Sequence, residues 1–195
     1  MCKFSEDSRQ KLGNAVIYIA NHTEQLSKTK LLKLLFLMEE YMVKRYHVPF
    51  MGLPFEIWQA GPVAKDIFID LSDGPFLLKD FVKTEVQKDA TYIRAIKPFC
   101  DDEFSDCEME MMDEIIRKYG KKTAKQLVAE VHKEGSLWFN AAKKHGLLTA
   151  FNKGLCNNSD YTIDFSEELS DCAREDYKES LAIHQTANIL SLIHI

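Results

Sequence analysis

Hydrophobic positions recur with helical spacing just after Ser27. They are three or four residues apart and define one side of a helix: Leu31, Leu34, Leu35, Met38 and Met42. Lysine and glutamate residues occupy the other sides. Ser27 can cap the first turn, because its hydroxyl can accept from an amide that lacks a helical partner. Pro49 disfavours a helical conformation at Val48, so the pattern predicts a helix from Ser27 to Tyr46 or His47.

A short alternating segment and a sharp corner follow this helix. Residues 55–58, Phe-Glu-Ile-Trp, alternate apolar with polar or variable positions and predict a strand. Gly61 can supply an unusual backbone angle, and Pro62 suits the first position of a helix, where its missing N–H costs nothing. We therefore expect a new helix to begin at Pro62, with apolar residues at Ile67, Phe68, Ile69 and Leu71.

Four further helices are expected from periodicity and capping residues. The first covers 8–22, where Gly13 costs ~1 kcal/mol relative to alanine. The other three begin after the capping residues Ser105, Thr123 and Ser136. Ser105 also forms a capping box with Glu108. Gly120 and Gly146 are the expected ends of the first and last of these three helices. Residues 149–165 are rich in turn-forming side chains, and the tail 169–195 has helical character.

Residues 81–96 change to a period of two. Two alternating runs flank Lys88-Asp89 and predict a β-hairpin, which the strand at 55–58 is expected to join. The predicted fold class is α+β, predominantly helical, with a small antiparallel hairpin packed on the helices. We expect a single domain over 1–195, with a core at about 8–146 and a mostly helical C-terminal extension at 147–195.

Composition narrows the function classes. The chain has 195 residues, of which 46% are hydrophobic and 28% charged, as expected for a globular protein. The net charge of −5 gives no basic footprint, so we do not expect nucleic-acid binding. No apolar run is long enough to span a membrane, and the polar start lacks the apolar segment of a signal peptide. We expect a cytoplasmic protein.

Signatures of enzymes and cofactor sites are missing. The five cysteines include no C-x-x-C pair, and no Walker A loop, G-x-S-x-G or H-E-x-x-H motif occurs, so no cofactor or metal is expected. His132 and Glu134 could hold a metal or act in acid–base chemistry. We favour a polar contact between them that fixes two consecutive helices. Cys100 or Cys107 with a histidine leaves a thiol enzyme as a remote alternative.

Two ordered segments carry a family resemblance. The first, LLKLLFLMEEYMVKRYHVPFMGLPFEIWQAGPV, contains an L-x-K-L-L helix and an E-I-W-x-x-G-P-V segment, with matches at Leu31, Lys33, Leu34, Leu35, Glu56, Trp58, Gly61, Pro62 and Val63. The second, VAEVHKEGSLWFNAA, matches at Leu127, His132, Glu134 and Trp138. Together they resemble the Panacea domain, a SocA-like family also known as phage-associated protein. The matches cover about 28–72 well, 115–145 in part, and nothing beyond 150.

This resemblance implies an antitoxin-type protein of bacterial or prophage origin, without catalytic activity. It would neutralise a cognate toxin, encoded nearby, by direct protein–protein binding. Alternatives are a proteolytic adaptor that presents a toxin to a protease, and a transcriptional regulator of its own operon. Self-association is left open.

The residues expected to form the family motif or to bind the partner are Lys33, Glu56, Trp58, Gly61, Pro62, Val63, His132, Glu134 and Trp138. Lys33 can either extend its ammonium group to solvent or pair with Glu56. The acidic stretch 101–114 and the apolar run 181–193 are further candidates for contact with a partner.

Overall fold

The computed structural model describes residues 4–72, 74–87 and 90–193. Within them it contains eight α-helices, one 3-10 helix and two antiparallel two-stranded sheets. The helices are α1 (Glu6–His22), α2 (Lys28–Tyr46), α3 (Lys65–Asp70), α4 (Asp106–Tyr119), α5 (Ala124–Val131), α6 (Leu137–Lys144), α7 (Leu147–Asn152), α8 (Asp171–Ile193) and the 3-10 helix η1 (Phe165–Glu168). The strands are β1 (Glu56–Trp58), β2 (Gly61–Val63), β3 (Val82–Gln87) and β4 (Ala90–Ala95). The predicted α+β, predominantly helical class is confirmed.

Helix α2 lies at the centre and begins and ends where its sequence predicts. The Ser27 hydroxyl accepts from the Lys30 amide at 3.2 Å, and the helix ends at His47, whose φ is 57°. The caps predicted for α4, α5 and α6 are also confirmed. Three of the charged residues that occupy the other sides of α2 are buried, namely Lys30, Lys33 and Glu39.

The corner after α2 is a second hairpin. Strand β1 pairs with β2, so the expectation that Pro62 begins a helix is wrong, and α3 begins at Lys65 instead. Pro62 lies opposite Ile57, whose amide donates to the Tyr161 carbonyl at 2.9 Å, on the side away from Pro62. A proline fits here because this pair exchanges no ladder hydrogen bonds. These strands form a sheet of their own, so the expectation that they join the longer hairpin is also wrong.

The longer hairpin has the predicted position. Strands β3 and β4 pair without interruption from Val82 opposite Ala95 to Gln87 opposite Ala90. The predicted turn at 88–89 lies outside the described residues. Val82 and Ile93 are buried on the face that packs on the helices, while Lys83 and Arg94 lie on the solvent side. The outer edge of β4 continues into a bridge between Tyr92 and Ser27.

Phe81 explains why α1 contains a glycine. An added Cβ on Gly13 would lie 2.3 Å from the Phe81 ring, which is closer than any real contact. The Gly13→Ala substitution gains ~1 kcal/mol of helix propensity, but the overpacking costs about 1–3 kcal/mol. We therefore expect a net loss of stability in urea unfolding. Combining it with Phe81→Leu should recover part of the loss, and a stabilised Gly13→Ala protein would contradict this account.

The apolar core also includes residues from the segment 147–195, which was expected to be a C-terminal extension. Phe151 in α7, Ile163, Phe165 and Tyr177 in α8 are buried in the same apolar cluster as α2. Helix α7 forms within the first part of 149–165, so the turn-rich pattern there predicted too little structure. The helical tail is confirmed to residue 193, and 194–195 lie outside the described residues. A single domain over the whole chain stays our prediction.

Candidate functional site

Lys33 is a fully buried lysine at the middle of the resemblance. Its side chain is 1% exposed, and its Nζ donates to the Pro62 carbonyl oxygen at 2.8 Å. The Pro62 carbonyl is available because Pro62 and Ile57 form a pair without ladder hydrogen bonds, so this carbonyl points away from β1. Burial lowers the pKa of Lys33 to about 7. Lys33 therefore neither reaches solvent nor pairs with Glu56, and both expectations are wrong.

Glu56 has other partners within the same motif. Its Oε2 accepts from the indole Nε1 of Trp58 at 2.8 Å, and its Oε1 lies 3.3 Å from Lys65 Nζ. The Trp58 ring packs edge-on against Phe68, with centroids 5.0 Å apart. Glu56 thus holds a half-buried tryptophan beside the start of α3.

Gly61 is the point of closest approach between the motif segments. Its φ of +97° lies in a region that L side chains rarely adopt. A Cβ there would lie 2.8 Å from Lys33 Cε and 3.0 Å from Val131 Cγ2. The missing side chain therefore lets α2 and α5 approach β2 from two directions. Pro62 and Val63 are buried beside it.

The second motif segment meets the first through Trp138. Its Nε1 donates to the Trp58 carbonyl at 3.1 Å. The His132 ring stacks on Trp138 with centroids 3.8 Å apart and planes 10° apart. Burial, with a smaller contribution from the charge of Lys33, lowers the pKa of His132 to about 4. His132 is therefore neutral at pH 7 and links α5 to α6 by stacking.

We call the assembled group Lys33, Trp58, Gly61, Pro62, His132 and Trp138 the signature corner. Glu134 is not part of it, because its side chain is exposed. No hydrogen bond joins it to His132 in the described part of the chain, so the predicted contact between them is wrong. The His132 Nε2 is buried, and no group of the residues that the structure describes forms a hydrogen bond with it.

The residues that the structure describes form neither of the alternative sites, a metal site or a cysteine–histidine pair. Among those residues, no three His, Cys, Asp or Glu side chains form a group that could hold a metal ion. The Cys100 thiol contacts an Asp102 carboxylate oxygen at 3.1 Å, and Cys107 contacts the Ser105 hydroxyl at 3.2 Å. Neither contact supplies the histidine base that a cysteine nucleophile needs.

A family model described as antitoxin SocA-like, Panacea domain, matches residues 31–139, which is more than half of the 195 residues. The chain belongs to the SocA-like antitoxin family. The Panacea match contains every residue of the signature corner. Membership of this family gives the protein a role of the antitoxin type. Such a role indicates a non-enzymatic protein with a toxin as its partner. Searches of curated proteins and of solved structures found no match. None of the helices in the described ranges is long and apolar enough to cross a membrane.

Sequence reasoning missed two buried carboxylates within the Panacea match, Glu39 and Asp70. Glu39 accepts from the amides of residues 50–52 at 2.9–3.2 Å, and Asp70 accepts from those of residues 76–78 at 2.7–3.2 Å. A signal for Glu39 was present, since it lies four residues from Leu35 and from Val43 on the apolar side of α2.

Lys33 predicts a specific pH dependence of stability. Its pKa is about 7 in the folded Panacea domain and near 10.5 when unfolded. Between these values the unfolded chain binds more protons, so the free energy of unfolding should rise with pH. We expect a gain of about 2 kcal/mol from pH 7.5 to 9.5 from this group. Glu39, whose pKa burial raises to about 7, titrates mostly below this window.

Urea unfolding over this pH range tests the prediction. Lys33→Met removes the titrating group and should flatten the slope, whatever it does to absolute stability. Lys125→Met, at an exposed position on α5, should keep the slope of the original protein. Equal slopes in all three proteins would show that Lys33 has an ordinary pKa in the folded state.

Proposed function

We propose that this protein neutralises its toxin by direct and stoichiometric binding. The observation that supports this most is that the Lys33 ammonium and the Trp138 indole donate to backbone carbonyls of the signature corner rather than pointing into an open cavity. Lys33 bonds to Pro62, and Trp138 bonds to Trp58. Such residues act as a shared scaffold, which suits a protein that works by presenting a surface.

The candidate partner-binding residues divide by exposure under this proposal. Glu134 is exposed, and Glu56 and Trp58 are half-buried, so these can reach a toxin. The five buried ones among the rest are Lys33, Gly61, Pro62, Val63 and Trp138. We infer that the buried ones support binding by holding the corner together, and His132, stacked on Trp138, belongs with them.

Specificity for one toxin requires features that the shared scaffold does not supply. Residues 140–193 lie outside the Panacea match, and α8 there exposes Ile183 and Leu190 by 64% and 52%. These two are seven residues apart and share one face of the helix. We infer that this face contacts the toxin, because buried apolar groups supply most of the affinity in protein complexes.

Co-expression with the adjacent gene tests the proposal. We expect the neighbour to stop growth when expressed alone, and this protein to restore growth and to co-purify with it in equal amounts. Binding of the two purified proteins without a protease separates neutralisation by binding from a proteolytic adaptor. Rescue that depends on a host protease would contradict direct neutralisation, and retention on the operon's DNA with no effect on growth would favour a regulator.

The surface of α8 can be tested in the same assay. Ile183→Asp combined with Leu190→Asp should weaken toxin binding by about a hundredfold or more, since each of the two apolar side chains contributes ~1.5–3 kcal/mol when buried. Ile69→Asp is the matched control, because Ile69 is a 49% exposed apolar residue within the Panacea match. Equal binding by all three proteins would place the toxin elsewhere.

A further inference from the structure

The outer edge of β3 is an open backbone edge. The Ile93 amide in β4 donates to the Leu26 carbonyl at 2.9 Å, on the side away from β3. In an antiparallel ladder, the backbone N–H and C=O groups of two opposite residues either all point toward the other strand or all point away from it. Thr84, opposite Ile93, therefore directs its N–H and C=O away from β4, and so does Val86 two residues later.

No residue of the described ranges bonds to these groups of Thr84 or Val86. The edge lacks two of the features that protect such strands from pairing, a proline and a bulge. Strand β3 has no proline and no bulge, and its six residues pair regularly with β4. Its charged side chains, Lys83 and Glu85, lie on the solvent face rather than on the packed face. An edge of this kind readily accepts another strand.

We propose that β3 pairs with β3 of a second copy of this chain, in antiparallel orientation, to form a continuous four-stranded sheet. A two-fold axis at Thr84 places it opposite Thr84 of the partner subunit, with both backbone bonds exchanged between them. In the same register Lys83 faces Glu85 of the partner subunit, and Glu85 faces the partner subunit's Lys83. Val86, which is 79% exposed, lies across from the partner subunit's Val82. Within each chain the Val82 amide keeps its bond to the Leu78 carbonyl at 3.0 Å, so the exchanged backbone bonds are those of the central Thr84 pair.

The charges of Lys83 and Glu85 favour this register over its neighbours. They also favour a second copy of this chain as the strand that pairs with β3. A shift by two residues in one direction places Glu85 opposite itself, and a shift in the other direction does the same to Lys83. Like charges directly opposite each other destabilise a pair of strands. Within one chain, Glu85 already lies 3.0 Å from Arg94 Nε and 3.4 Å from Lys83 Nζ. A second Lys83 would complete this exposed network. The inference does not depend on the proposed toxin binding.

Sedimentation of the full chain at increasing concentration tests the dimer. Lys83→Glu and Glu85→Lys each place like charges together twice, and each should raise the dimer dissociation constant about tenfold or more. Mixed in equal amounts, these two variants should form a dimer again, because every facing pair is then of opposite charge. Lys125→Glu, an equal charge change on α5, should leave the dissociation constant unchanged.

Thr84→Pro tests the backbone pairing. It removes the outward amide of Thr84 without removing a bond to β4, so the chain should keep its circular dichroism spectrum and lose the dimer. A wild-type chain that stays monomeric, or a dimer that ignores all three edge substitutions, would overturn the proposal. Impaired toxin capture by Thr84→Pro, from a wild type that is monomeric, would also overturn it and assign the edge to a strand of the toxin.

Discussion

Replacing Glu39 with leucine is expected to lower the free energy of unfolding by about 3–5 kcal/mol. The Glu39 carboxylate accepts three backbone amides, from Phe50 at 3.1 Å, Met51 at 2.9 Å and Gly52 at 3.2 Å. Each amide left without a partner costs ~1–3 kcal/mol, and the apolar leucine recovers only part of this. Chemical unfolding monitored by tryptophan fluorescence measures the difference.

Two further variants identify the cause. Glu39→Gln keeps a side chain of similar shape with one acceptor oxygen, so it should lower the free energy of unfolding by less than Glu39→Leu does. Glu134→Leu makes the same change at an exposed position and should alter stability by ~0.5 kcal/mol or less. A loss from Glu39→Leu that is no larger than this control would show that the 50–52 loop is held by other contacts.

Replacing Gly61 with alanine is the second large effect, with an expected loss of about 2–5 kcal/mol. The backbone φ of +97° costs an alanine ~1–3 kcal/mol. The added Cβ also meets Lys33 Cε at 2.8 Å and Val131 Cγ2 at 3.0 Å. Overpacking of this kind typically costs a further ~1–3 kcal/mol. Thermal and urea unfolding both report the change.

Gly74 provides a matched control for the backbone contribution. Its φ is +92°, but no atom of the described residues beyond its chain neighbours would lie within 4 Å of an added Cβ there. Gly74→Ala should therefore show the cost of the backbone angle alone, and the additional loss at Gly61 measures crowding. Lys33→Ala in the Gly61→Ala background should relieve part of that crowding. Equal losses at the two glycines would mean that the signature corner yields without cost.

These two substitutions also separate folding from recognition. Glu39 and Gly61 are buried, so a defect in toxin neutralisation from either should follow the loss of folded protein. Substitutions on the exposed face of α8 should instead weaken binding at unchanged stability. If the buried variants fail to neutralise while fully folded, the signature corner itself would be part of the toxin interface.

Much of the fold could be predicted because its signals are local. Ser27 caps α2 through the amide three residues later, and the alternation at 82–95 predicts the hairpin. Capping and periodicity depend on residues within one or two turns, so the sequence displays them directly. The family motif also came from the sequence, together with the antitoxin role that it implies.

The roles of the motif residues depended on the tertiary structure. Judged by its neighbours in sequence alone, Pro62 fits either the first turn of a helix or an edge strand. Pairing with β1 decided for the strand. The sequence left two partners open for Lys33, solvent or Glu56, and the structure gives it the Pro62 carbonyl of β2 at 2.8 Å instead. Gly13 looked unfavourable in its helix until Phe81 occupied the space beside it. Each outcome depends on a group that is distant in sequence, and only folding brings that group within contact distance.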